Sequence, residues 1–318
     1  MKALDLRESV VEGFFVFGAQ MATADGLSAS PEFPDLIVAS VQMEPRVGHT
    51  TANVERSVRL IEEAAAQGAA IVVLPELANS GYVFASRAEA FSLAEPVPDG
   101  PSTQAWAEVA RRCKVHVVAG IAEREGDRLY NAAAVLGPGG WLGTYRKLHL
   151  WGDEHLFFES GDKGLPVFHT ELGRLGVVIC YDGWFPETYR LLAMQGVDIV
   201  CMPTNWVPMP EQPVDRPAMA TTLAMANAHS NGLNIVCANR IGTERGQPFV
   251  GQSLIVGAQG WPLAGPASHD AEEILYARIN LKASRRARHL NVFNDVLRDR
   301  RDDIYDPMLG TGWPLPRH

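Results

Sequence analysis

Leu175-Gly176-Val177-Val178-Ile179-Cys180-Tyr181-Asp182-Gly183-Trp184-Phe185-Pro186-Glu187 is the stretch from which the fold class of this chain can be read. Leu175–Ile179 is a short apolar run with the length and composition of a strand covered on both faces. Pro186 with Glu187 beside it marks a helix start. Proline's fixed φ suits the first turn, and an acid there meets the positive end of the helix dipole. The predicted helix runs to Gln195. A buried strand that hands over to a helix belongs to a layered α/β domain, and here it leaves a thiol, Cys180, at the junction.

The same alternation continues outward in both directions. Toward the C-terminus, Ile199–Met202 reads as a strand and the Ala/Met-rich segment Arg216–Ser230 as a helix. Leu233–Ala238, Gln252–Val256 and Ile274–Ile279 read as further strands. Toward the N-terminus lie strands at Val167–His169, Trp141–Tyr145 and Asn131–Leu136. The last two are separated by the turn Gly137-Pro138-Gly139-Gly140. A helix at Ser102–Arg112 precedes a strand at Val115–Ile121, and Ala70–Leu74 is another buried strand. Val54, Val58, Ile61 and Ala65 fall on one face of a helix that Gly68 ends, following a first strand at Leu36–Val41. Tight turns between strand pairs predict mixed sheets. No repeat, low-complexity tract or linker divides this region. We therefore expect one domain over 35–306, an N-terminal extension over 1–34 and a C-terminal tail over 307–318.

Of the 318 residues 47% are hydrophobic, enough for a substantial core, and the formal charge is −9. A nucleic-acid partner is not expected, because no basic stripe appears; Arg285-Arg286-Ala287-Arg288 reads as a solvated helix face. Val10–Met21 is apolar but broken by Glu12, and the residues before it do not make a signal-peptide leader. No run reaches the ~18–20 apolar residues of a membrane span. The four cysteines, at 113, 180, 201 and 237, form no CxxC pair and no zinc-ligand spacing. Isolated thiols suit a reducing compartment, so a cytoplasmic location is expected, with no metal or organic cofactor.

Three reactive residues share one local setting. Glu76 follows the strand Ile71–Leu74, Lys147 follows Trp141–Tyr145, and Cys180 follows Leu175–Ile179. At such strand ends the backbone leaves the sheet and a side chain can enter a cleft. Taken singly, Cys180 would read as a small core residue, Glu76 as a loop acid and Lys147 as a solvated strand end. Together they make a reaction. A carboxylate can take the thiol proton during attack, and an ammonium can stabilise the developing oxyanion. The backbone N–H of Tyr181 is a second oxyanion donor in this scheme. The electrophile is a carbonyl or nitrile carbon. Cys113, Cys201 and Cys237 read as buried inert thiols, and His149 and His155 as the only support for a rival Cys–His dyad.

Leu74-Pro75-Glu76-Leu77, Tyr145-Arg146-Lys147-Leu148-His149-Leu150 and Ile179-Cys180-Tyr181-Asp182-Gly183-Trp184-Phe185-Pro186-Glu187 resemble, in order, the three catalytic motifs of the nitrilase (carbon–nitrogen hydrolase) superfamily. The flanks Asn239-Arg240-Ile241-Gly242 and Phe249-Val250-Gly251-Gln252-Ser253 match as well, and the resemblance covers roughly residues 35–305. It implies a four-layer αββα sandwich that commonly assembles as a homodimer or higher homo-oligomer. It also implies Glu76 as base, Lys147 as stabiliser of the oxyanion and Cys180 as nucleophile. Many members carry a second glutamate soon after the lysine; Glu154 is the best match and Glu159 the alternative.

True nitrilases usually place Trp and Glu directly after the cysteine, whereas this chain has Tyr181-Asp182-Gly183-Trp184, which looks like the amidase and N-carbamoyl-amine hydrolase branches. Members acting on N-carbamoyl-D-amino acids tend to carry arginines there, able to clamp a carboxylate. Gly183 and Trp184 offer no such clamp, so a neutral or cationic substrate is expected. Trp151, Phe158, Trp184 and Trp206 are candidate pocket walls, and Asn205 a candidate hydrogen-bond donor to substrate. The expected reaction is hydrolysis of a small linear amide or N-carbamoyl amine through a Cys180 thioester. It would release ammonia and an acid, or an amine and CO2. The alternatives are a nitrile-hydrolysing nitrilase and a catalytically idle scaffold that binds partners.

Overall fold

The computed structural model describes residues 35–211 and 216–309. The expected extension over 1–34, including Val10–Met21, and residues 310–318 of the expected tail lie outside the described residues. Two six-stranded sheets form the centre of the domain. The first has the order β14 (Glu273–Ile279), β1 (Leu36–Gln42), β2 (Ile71–Val73), β3 (His116–Glu125), β4 (Arg128–Gly137), β5 (Gly140–Arg146). The second has the order β13 (Pro262–Ala264), β12 (Leu254–Val256), β9 (Asn234–Ala238), β8 (Ile199–Pro203), β7 (Gly173–Val177), β6 (Val167–Thr170). Both sheets are mixed. β1–β2–β3 and β7–β8–β9 run parallel, and the remaining neighbours pair antiparallel.

The two-residue period of the strands sorts their side chains into layers. Val38, Ile71, Val73 and Val118 pack in one cluster with Val177, Ile199, Cys201 and Ile235 of the second sheet. Their sequence neighbours Ala39, Val72, Val117 and Ala119 pack instead with Leu60 and Ile61 of α1 (Thr50–Ala66) and Trp106 and Val109 of α3 (Pro101–Cys113). On the far side, Tyr189 and Leu192 of α4 (Pro186–Met194) and Ala220 and Ala224 of α5 (Met219–Asn231) cover the second sheet. The layer order is αββα, as expected. Each fully buried Val, Leu or Ile contributes about 1.5–3 kcal/mol, so these three interfaces dominate the stability of the domain.

Several elements depart from the sequence reading. β3 runs on to Glu125, past the expected end at Ile121, because Glu123 is buried against Arg146 of β5 at 2.7 Å and so keeps a charged residue inside the sheet. α5 begins at Met219, not Arg216, since Pro217 disfavours helical backbone at the residue before it and Ala218 is extended. α2 (Arg87–Leu93) is an additional helix, although Ser86-Arg87-Ala88-Glu89 carries a capping signature: the Ser86 side chain accepts from Glu89 N. The short hairpin β10 (Thr243–Glu244) and β11 (Gln247–Pro248) is likewise new. α6 (Leu281–Arg286) carries only the first two residues of the basic run, Arg288 lying half-buried beyond its end, and α7 (Asp302–Leu309) crosses the boundary placed at 306/307.

Candidate active site

Glu76, Lys147 and Cys180 enter from three different strands. Glu76 leaves β2 on a segment that passes directly over Gly120 of β3: Gly120 N donates to Pro75 O at 3.1 Å, and Ala78 N donates to Gly120 O at 2.8 Å. A Cβ at Gly120 would stand 2.4 Å from Pro75 O and 2.5 Å from Glu76 Cα, so only glycine lets this loop lie so close. Lys147 follows β5 directly, with its N–H on Asn131 O at 2.8 Å. Cys180 opens a short 3-10 turn, Cys180–Trp184, with a φ of 45°. A non-glycine residue in that left-handed region is held by its surroundings, and such strain clusters at functional positions.

The holder is Asp182, fully buried. Its Oδ2 accepts from Ile179 N at 2.9 Å and from the Tyr145 hydroxyl at 2.6 Å. Its Oδ1 accepts from His149 N at 2.9 Å and meets His149 Nδ1 at 2.8 Å. One carboxylate thus ties the cysteine turn to β5 and to the loop after Lys147. This also accounts for His149, whose Nδ1 is engaged by Asp182 and whose ring stacks on Phe185 with centroids 3.7 Å apart. His155 is exposed. Neither histidine lines the cavity at Cys180, so the geometry does not assemble the Cys–His dyad.

The charged centre is a buried triad. Lys147 Nζ lies 2.7 Å from Glu76 Oε1 and 2.7 Å from Glu154 Oε1, and all three side chains are buried. Asn131 Nδ2 also donates to Glu76 Oε1, at 2.7 Å, and the Tyr82 hydroxyl to Glu154 Oε1, at 2.7 Å. Glu159 is elsewhere, exposed and paired with Arg87 at 3.0 Å. Glu76 Oε2 is buried with no partner among the described residues. Glu76 therefore has one oxygen held in place and one free to accept.

Electrostatics set the proton inventory. Burial, reinforced by the Glu154 charge, pushes the Glu76 carboxyl up to about 7 against the opposing pull of Lys147 and Asn131. Burial and the Glu76 charge push the Cys180 thiol well above the ordinary cysteine range, while Lys147 acts in the opposite sense. Burial alone would lower Lys147, but Glu154 and Glu76 more than offset it and hold the ammonium above its usual value. The resting site therefore carries a protonated thiol, a firmly charged lysine and a carboxyl that titrates near neutrality. Cys201 is pushed up to about 12 and Cys237 higher still by burial, and both stay inert in the core. Cys113, expected to be buried, is partly exposed at the end of α3.

The cavity beside Cys180 is walled by Trp151, Tyr181, Trp184, Asn205 and Trp206 and holds about 20 Å³. It shares Trp151 and Val207 with a neighbouring chamber of about 220 Å³ that reaches Tyr82, Asp153 and Gln247. No Arg or Lys is among the described residues lining either chamber. Phe158, a candidate wall, packs in the core with Phe84 instead. Asn205 turns inward: its Nδ2 donates to Glu76 O at 3.0 Å. A larger groove of about 760 Å³ beside α4 and α5 touches none of the reactive groups.

Sequence reading misses Asn131, Tyr82 and Asp182. It also misses Glu244, which accepts from Tyr82 N and Val83 N at 2.8 Å each and is paired with buried Arg240 at 3.0 Å. Nothing local marks them, apart from Arg240 and Asp182 lying inside quoted motifs. Among the described residues no His, Cys, Asp or Glu group is disposed to hold a metal ion, and no helix is long and apolar enough to cross a membrane.

Residues 37–289 match the family model described as carbon-nitrogen hydrolase. A protein named "Nitrilase" from Pyrococcus abyssi is 43% identical over 268 residues, covering 84% of this chain and 98% of that one. An N-carbamoylputrescine amidase from Arabidopsis thaliana is 32% identical, covering 86% and 95%. The structure of a mutant amidase from Nesterenkonia sp. AN1, with acrylamide added at its active-site cysteine, superposes with a TM-score of 0.70. It is 25% identical and covers 86% of this chain and 100% of that one.

Proposed function

Because this chain belongs to the carbon–nitrogen hydrolase family, we propose that it hydrolyses small linear amides or N-carbamoyl amines through a thioester on Cys180. The observation that carries this reading is the unpartnered, buried Oε2 of Glu76 in a triad whose charges act on the Cys180 thiol. Cys180 Sγ attacks the carbonyl carbon as its proton passes to Glu76. The carbonyl oxygen gathers charge toward Lys147 Nζ and the Tyr181 N–H, where burial makes fixed donors worth more than they are in water. Glu76 returns the proton to the departing nitrogen, releasing ammonia or an amine, then takes a proton from the water that attacks the thioester and passes it to Cys180 Sγ as the C–S bond breaks and the acid leaves. Glu154 and the Tyr82 hydroxyl keep Lys147 charged and in place. The absence of a lysine or arginine from the described chamber walls supports a neutral or cationic substrate over an acidic one.

The name of the Pyrococcus abyssi relative favours a second reading, nitrile hydrolysis. Primary amides, N-carbamoyl amines and nitriles matched in their acyl part decide between them. Ammonia release from the amide or carbamoyl compound at least about tenfold faster than from the nitrile, with an acyl mass on Cys180, is the expected result. Faster turnover of the nitrile would overturn it.

The pH profile follows from Glu76. Only its ionised form can take the thiol proton, and the carboxyl is held up at about 7. The ionised fraction, and kcat/KM with it, rises as pH rises through that value. Measured between about pH 5 and 9, kcat/KM is expected to show an acid limb with an apparent pKa near 7. A limb in the ordinary carboxylate range would show that burial does not govern the base.

A further inference from the structure

We propose that Asn205 reads an N–H of the scissile group through its side-chain oxygen, and that this contact makes the site prefer amides to nitriles and esters. The inference rests on the reading of the site as an amide hydrolase and names the residue that enforces it.

The orientation of the Asn205 amide is set by its partner. Nδ2 lies 3.0 Å from Glu76 O, a backbone carbonyl that can only accept. The nitrogen must therefore face Glu76, and Oδ1 is left on the other side. Asn205 is 2% exposed, its Oδ1 is buried with no partner among the described residues, and the residue walls the cavity shared with Cys180. A buried amide oxygen without a donor is costly, and a bound group that supplies the missing hydrogen relieves that cost. The sequence reading casts Asn205 as a donor to substrate. One of its two N–H groups is engaged by Glu76 O, and the side-chain group left wholly without a partner is the oxygen, an acceptor.

An acceptor discriminates by chemistry. A primary amide or a carbamoyl group brings N–H donors to the reacting carbon, whereas a nitrile nitrogen and an ester oxygen bring none. A site built around an unmet acceptor rejects the analogue that cannot satisfy it. Trp206 Nε1, also buried without a partner in the same wall, can donate to an oxygen or a nitrile nitrogen alike and so does not make this distinction. The placement also suits the reaction. The side chain that holds the nitrogen is anchored to the backbone of Glu76, the residue that must return a proton to that nitrogen.

The test uses a primary amide, a methyl ester and a nitrile sharing one acyl group. Asn205→Ala loses the tether to Glu76 for every substrate, so the informative quantity is a ratio. kcat/KM for the amide is expected to fall roughly 10- to 100-fold further than kcat/KM for the ester, the worth of one acceptor left unpaired. Equal falls would show that Asn205 only positions Glu76, and would overturn the proposal. Should Asn205→Ala fail to fold, calorimetry on Cys180→Ala answers the same question. The amide is expected to bind at least about tenfold tighter than the nitrile, and equal affinity overturns the proposal. The parent reading is checked separately by the acyl mass on Cys180 of the wild type. Its absence with the amide defeats both claims, whereas an adduct with an unchanged amide-to-ester ratio defeats this one alone.

Discussion

Cys180→Ala is expected to abolish turnover, lowering kcat by at least ~10⁴, while the protein remains folded. The two core thiols cannot substitute, because Cys201 and Cys237 are fully buried and held protonated by that burial. The structural cost is small. Removing one sulfur from a residue that already borders a cavity costs on the order of 1 kcal/mol, and alanine bears the left-handed backbone no worse than cysteine does. Asp182, which sets the turn through Ile179 N and the Tyr145 hydroxyl, is untouched. Single-turnover kinetics with a matched amide, together with a thermal melt, separate the two effects. Retained turnover at near wild-type rate would mean that another group is the nucleophile.

Lys147→Met combines a loss of activity with the largest expected loss of stability. The ammonium lies between two buried carboxylates at 2.7 Å from each, so removing it strands like charges out of reach of water. Breaking a buried pair from one side costs about 3–5 kcal/mol, which lowers the melting temperature by on the order of 10 °C. Methionine keeps the length of the lysine stem, so the loss reports charge and not packing. The pH dependence has a definite sign. Lys147 opposes the upward push of burial on Glu76, so without it that carboxyl lies further above its unfolded value, and the folded state binds extra protons and gains stability as pH falls. The deficit against wild type is therefore expected to shrink between about pH 8 and pH 5.5. A constant deficit would show that the cost is one of packing.

Much of this site is legible without coordinates, for a physical reason. Glu76, Lys147 and Cys180 each stand just past a buried strand, and a buried strand is a local signal written in its own apolar run. A layered α/β domain follows from the same signals, because strands that read as apolar on both faces must be covered on both; the αββα order was implied only by the family resemblance. Glu154 and Glu159 are harder to separate. They lie in the same stretch of chain, and only packing shows that one faces Lys147 while the other meets Arg87 at the surface. The end of β3 is misplaced for a similar reason: a charged residue looks like a strand end until its buried partner, Arg146, is seen.

The cysteine junction shows where the division falls. Sequence alone determined the family likeness, the layered fold and the thiol at the end of Leu175–Ile179, since each is encoded within a few neighbouring residues. Only the tertiary structure decided that Glu76 keeps one oxygen free, that Asn205 faces it with its nitrogen, and that Asp182 holds the turn. Those contacts join residues far apart in the chain, such as Asn131 to Glu76 and Asn205 to Glu76. The proton states belong to the same class. Burial raises the Cys180 thiol and the Glu76 carboxyl, with Glu76 adding to the first, Glu154 adding to the second and Lys147 opposing both, and neither quantity exists until those segments are brought together.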